Sequence, residues 1–149
     1  MPKAVKYLLG KGMDIEAKSK RGCTPLLLAA DCGHAQVADI LLEHGANLNA
    51  RSENGGTPLI WAACHNHVET AKVFLTHGAY INDVDNYGHS AIFLAAHFGH
   101  LEMVNYLLSK GANAHILSTK PEGMTVLHAA ACDGHVKVVQ RLIEHGCDP

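Results

Sequence analysis

A short motif that returns at a fixed interval constrains this 149-residue chain more than any other feature. Thr24-Pro25-Leu26 recurs as Thr57-Pro58-Leu59, as Ser90-Ala91-Ile92 and as Thr125-Val126-Leu127. The starts at 24, 57 and 90 are 33 residues apart, and the step from 90 to 125 is 35, a two-residue insertion before the last copy. Gly45-Ala46, Gly78-Ala79 and Gly111-Ala112 mark the other end of each unit, with variants at Gly12-Met13 and Gly146-Cys147. Such a period signals an array of small units, none able to bury its apolar face alone.

Each unit reads as two helices and a turn-rich connection. Thr24, Thr57, Ser90 and Thr125 stand at N-cap positions, and Pro25 and Pro58 follow where a missing N–H costs nothing. The first helix closes near Gly33, Gly99 and Gly134, with Asn66 in the second unit; these residues tolerate the left-handed conformation. The second helix carries a stripe repeated as Ala35, Ala38, Leu41, Leu42; Val68, Ala71, Phe74, Leu75; Leu101, Val104, Leu107, Leu108; and Val136, Val139, Leu142, Ile143. Polar stretches such as 48–55 predict extended, hairpin-like loops. The expected division is one domain over 1–149, with a half unit at 1–21 and full units at 22–54, 55–87, 88–122 and 123–149.

The period, the Thr-Pro-Leu motif, the pairs Ala29-Ala30, Ala62-Ala63, Ala95-Ala96 and Ala130-Ala131, the Gly-His steps and the Leu-Leu-x-x-Gly-Ala ending together resemble ankyrin repeats. The resemblance covers essentially the whole chain. It implies an all-α solenoid of stacked helix-turn-helix units that recognises another protein or peptide through hairpin tips and first helices. Ser90-Ala91-Ile92 departs from the pattern by lacking the proline, and only the last unit keeps the histidine after leucine, at His128. It further implies that Asn49 and Asn82, with His115 at the matching fourth position, correspond to loop asparagines modified by an asparaginyl hydroxylase. Neither end reads as a polar capping unit, so a segment of a longer array is expected.

Composition narrows the function. Lys and Arg number 12 against 14 Asp and Glu, and the charges are scattered, so no basic field awaits nucleic acid or an anionic membrane. The start of the chain lacks the apolar core of a secretory signal. Five widely spaced cysteines without a CxxC suit a reducing compartment, cytoplasmic or nuclear. A monomer is expected.

His34, His67, His100 and His135 occupy one repeat position, too far apart to share a metal, and the resemblance gives them a hydrogen-bonding role between loops. Cys64-His65-Asn66-His67, with Cys32 and His97, is the densest potential ligand cluster, but its spacing matches no finger pattern. No phosphate loop, zinc-protease helix or nucleophile elbow is present. No metal, cofactor or catalytic residue is therefore expected.

Specificity must sit where stacking leaves residues free. The candidates are Arg21, Glu53, Asn54, Trp61, Tyr87, His89, His97, Phe98 and Met124, with the scarce aromatics as anchors. Two other readings remain: a substrate-recruiting or regulatory segment of a larger enzyme, channel or effector, and a purely structural spacer.

Overall fold

The computed structural model describes residues 2–148; Met1 and Pro149, the outermost residues of the first and last expected units, lie outside them. Among the described residues nine helices follow in order: α1 (Pro2–Gly10), α2 (Pro25–Cys32), α3 (Ala35–Glu43), α4 (Pro58–Cys64), α5 (Val68–Thr76), α6 (Ala91–His97), α7 (Leu101–Ser109), α8 (Val126–Cys132) and α9 (Val136–Glu144). The pairs α2/α3, α4/α5, α6/α7 and α8/α9 stack on their neighbours, and α1 packs against α3.

The caps form as the sequence dictates. Thr24, Thr57, Ser90 and Thr125 each accept the backbone N–H three residues on, at 3.4, 3.3, 3.3 and 3.2 Å. At the fourth, the Thr125 N–H donates back to His128 Nδ1 at 3.2 Å and completes a reciprocal cap. Asn66 holds the left-handed conformation, at φ 59°, that Gly33, Gly99 and Gly134 supply elsewhere.

One continuous core runs the length of the stack, built from all four helix pairs. The first helices are alanine-rich and only seven or eight residues long. With so little side chain between them they approach more closely, over most of the stack, than the nine-residue second helices do. A slab whose two rows pack unequally curves toward the tighter row, so the first helices line the inner, concave side.

Two features of the expected stripe differ. In α9, Val136 is 64% and Ile143 45% exposed, because no neighbouring pair covers that face among the described residues. The third position of each second helix lies outside that stripe. Thr70, Met103 and Val138 there are almost fully buried, and Val37 is partly so. Periodicity along one helix marks the side facing its own partner helix, whereas this row is closed by the adjacent unit.

Candidate functional site

Beyond α1, α3, α5 and α7 the chain turns and runs out to a hairpin tip on the edge beside the first helices. Ser19, Ser52 and Asp85 donate their N–H to the carbonyl four residues on, at 2.9, 3.0 and 3.0 Å. Ser118 instead reaches the carbonyl six residues on, Met124, at 2.9 Å. The two inserted residues therefore lie inside the last hairpin. Adjacent tips are joined through backbone: Asn86 N–H donates to the Asn54 carbonyl at 2.9 Å, and Thr119 and Lys120 both donate to the Tyr87 carbonyl, at 2.8 and 3.1 Å. Arg51 adds a side-chain stitch, donating to the Val84 carbonyl at 2.7 Å and approaching Asp83 at 3.4 Å.

The histidine row fastens the inner helices. Nε2–H of His67, His100 and His135 donates to the carbonyls of Asp31, Cys64 and His97, at 2.9, 2.9 and 2.8 Å. Each histidine N-caps a second helix without using its side chain there. It spends that side chain instead on the carbonyls left open where the preceding unit's first helix ends. On this inner row two histidines also face a carboxylate of the adjacent unit: His65 lies 3.3 Å from Asp31 and His97 2.9 Å from Asp133. The signal was present in the sequence, since Asp31 and His97 share one repeat position and His65 and Asp133 the next.

Of the nine candidate residues, His97 is partly buried and paired with Asp133, and the other eight fall into two groups. Arg21, Glu53 and Asn54 are exposed at the first two tips. Tyr87 at the third tip is 39% exposed and Phe98, the cap of α6, is 48% exposed. The Phe98 ring meets His97 edge-on at 4.8 Å and lies at 6.1 Å from His100. The other members of the set are more engaged. Trp61 is half-buried and donates Nε1–H to Ser52 Oγ at 3.3 Å. Met124 packs against the core. The His89 side chain, 17% exposed, stacks on Phe93 at 4.5 Å and donates Nε2–H to the Lys120 carbonyl at 2.8 Å. It supports the third tip and the inserted hairpin from beneath. Asn49 and Asn82 lie exposed in the outer turns between units, and Asn82 Oδ1 accepts the Asn113 N–H at 2.8 Å.

Among the described residues no three His, Cys, Asp or Glu side chains converge to hold a metal ion, and no helix is long and apolar enough to cross a membrane. The thiols of the inner face differ in environment. Burial, reinforced by the Asp31 carboxylate, pushes the Cys64 thiol up from its ordinary range, whereas Cys32 and Cys132 are exposed. A raised thiol holds less thiolate at neutral pH, and the thiolate is the nucleophile. Iodoacetamide should therefore modify Cys32 and Cys132 before Cys64, as mapped by peptide mass spectrometry. Cys64 reacting first would contradict the assignment.

The surface so built is a row of short helices and linked hairpins with aromatic rings at its edge. The family model described as ankyrin repeats (3 copies) matches residues 1–85 and again 79–149. No curated protein matches the chain.

Proposed function

Because the chain belongs to the ankyrin-repeat family, whose members generally act as protein–protein interaction modules and typically as non-catalytic scaffolds, we propose that it binds a partner protein or peptide across its concave edge, as a segment of a longer array. The observation that carries this reading is the placement of Tyr87 and Phe98. Both are large, exposed rings carried on held backbone: the Tyr87 carbonyl accepts two hydrogen bonds from the fourth hairpin, and Phe98 closes α6 with its ring edge-on to His97 at 4.8 Å. Aromatic side chains have only two χ angles to lose and so offer a large contact area at low entropic cost.

Arg21, Glu53 and Asn54 extend the same edge toward the first unit as a polar rim, and Trp61 and His97 lie along it. His89 and Met124 contribute by holding the third and fourth tips. The proposed scaffold carries no chemistry of its own.

Tyr87→Ala and Phe98→Ala should each weaken partner binding by more than about 1 kcal/mol while leaving the far-UV spectrum and melting curve unchanged. A pull-down with the chain, followed by titration of the captured protein against both variants, checks this. Equal affinity for wild type and both variants would move the contact surface elsewhere.

A further inference from the structure

Lys and Arg are scattered through the sequence but unevenly shared along the stack. Six of the twelve fall within residues 1–21, against two acidic residues, and residues 22–149 carry six against twelve. The positive excess therefore sits at the first unit, and the structure shows which part of it is free. Lys3 and Lys6 line an outer groove together with Asp39 and Glu43 of α3. Lys11 Nζ lies over the Tyr7 ring, 5.5 Å from its centre. Lys18, Lys20 and Arg21 are left. All three are exposed on the first hairpin, and none forms an ion pair among the described residues.

The hairpin is a fixed mount for them. Ser19 N–H donates to the Cys23 carbonyl and Gly22 N–H to the Ser19 carbonyl, both at 2.9 Å. Ser19 Oγ accepts the N–H groups of Arg21 and Cys23, both at 3.3 Å. Three like charges are thus held on one tight turn, where a counter-charge relieves their repulsion. The acids nearby do not supply it in full. Glu16 Oε1 accepts the Asn47 N–H at 2.7 Å, and Asp14 Oδ1 accepts the Glu16 N–H at 2.9 Å. Glu53 of the second hairpin leans over Gly22, its Cγ 3.2 Å from where a Cβ would stand. One exposed carboxylate therefore stands against three cations. No other tip has this balance: the second carries Arg51, drawn to Asp83, with Glu53, the third Asp85, and the fourth Lys120 with Glu122.

We infer that the first hairpin binds a short acidic stretch of the partner polypeptide, whose Asp and Glu side chains pair with Lys18, Lys20 and Arg21. The inference rests on the concave-edge reading above and adds to it the charge of the segment that faces the first unit. The Arg21 guanidinium suits a carboxylate gripped at both oxygens, and the two ammonium groups add charge without a fixed direction. A nucleic acid or an anionic membrane needs a basic field wider than one hairpin. The acidic excess over residues 22–149 also repels a polyanion that extends past it. A polypeptide can gather a few acids at one point and change character beyond it, and the pairing then sets how the segment is oriented on the edge.

The test is selection of short random peptides displayed on phage against the full chain, with affinity measured over a range of salt. Selected peptides should share two or more Asp or Glu within a few positions of one another, and should bind more weakly as salt rises. Replacing all three cations, by Lys18→Gln, Lys20→Gln and Arg21→Gln together, should lower affinity about tenfold and flatten the salt dependence; Arg21→Gln alone should cost about threefold. These side chains are exposed and unpaired, so an unchanged melting curve is expected. Lys3→Gln with Lys6→Gln alters the net charge on the outer face and should change affinity by less than about twofold. Basic or uncharged consensus peptides, no enrichment, or equal losses in the hairpin and outer-face variants would overturn the subsite. Tighter binding of duplex DNA or phosphatidylserine vesicles than of the acidic peptides, lost in the same triple variant, would overturn it in favour of a polyanion surface. Peptides lost on Tyr87→Ala or Phe98→Ala but indifferent to the hairpin variants would remove it while leaving the concave-edge reading intact.

Discussion

Phe74→Ala is expected to lower the stability of the stack by about 3–5 kcal/mol. The ring is completely buried in α5, near the middle of the array. It occupies the slot filled by Leu41, Leu107 and Leu142 in the other units, all buried as well. Two costs add: the transfer energy of the removed ring, and the cavity left among helices that cannot close on it without losing contact with their neighbours. Phe74→Leu, which restores the residue used elsewhere in the row, should cost less than about 1.5 kcal/mol. Ile143→Ala, at a repeat position apolar in every unit but half-exposed in α9, should cost less than about 1 kcal/mol. Urea unfolding followed by circular dichroism separates the three. A cost for Ile143→Ala equal to that of Phe74→Ala would contradict the burial on which the comparison stands. Because each unit is stabilised mainly by its neighbours, Phe74→Ala should also broaden the transition, as the two halves of the stack begin to unfold separately.

The same row shows where the sequence stops informing. Leu107, Leu142 and Phe74 are recognisable from spacing alone, because a helical stripe is a local property of nine residues. The caps are equally local: each hydroxyl bonds the third residue beyond it, and each left-handed position is a glycine or Asn66. The exposure of Val136 and Ile143 is not local, since it depends on what stands beside α9, and the letters of α9 match those of covered helices. The burial of Thr70 and Met103 fails to show for the same reason.

The candidate edge was legible to the same extent. Repeat register identifies the positions that packing leaves free, and it places Tyr87 and Phe98 among them. It does not reveal that the lengthened hairpin at 118–124 folds back onto the third tip, since that contact joins segments about thirty residues apart and the two-residue insertion shifts the register. His89 is the consequence. By register it is a free tip residue, and in the fold it lies between Phe93 and the Lys120 carbonyl.

That fold-back sets up the other large effect. Gly88→Ala should destabilise the protein by about 2–4 kcal/mol, whereas Gly123→Ala should cost about 1 kcal/mol. The two glycines share one backbone requirement, with φ of +77° and +73°. An alanine therefore meets the same left-handed penalty at either site. Their surroundings differ. A Cβ on Gly123 would meet nothing within 4 Å, while one on Gly88 would lie 2.7 Å from the backbone nitrogen of Thr119. That nitrogen is the donor to the Tyr87 carbonyl, so it cannot retreat without breaking the bond between the third and fourth hairpins. The excess of Gly88→Ala over Gly123→Ala thus measures the hairpin junction itself, with backbone strain cancelled. Amide exchange should localise the damage: faster exchange at Thr119 and Lys120 in Gly88→Ala, and ordinary protection there in Gly123→Ala. If the proposed binding edge is right, Gly88→Ala should also weaken partner binding, because it frees the tip that presents Tyr87. Equal costs for the two alanines would mean that the hairpins are not joined through this contact.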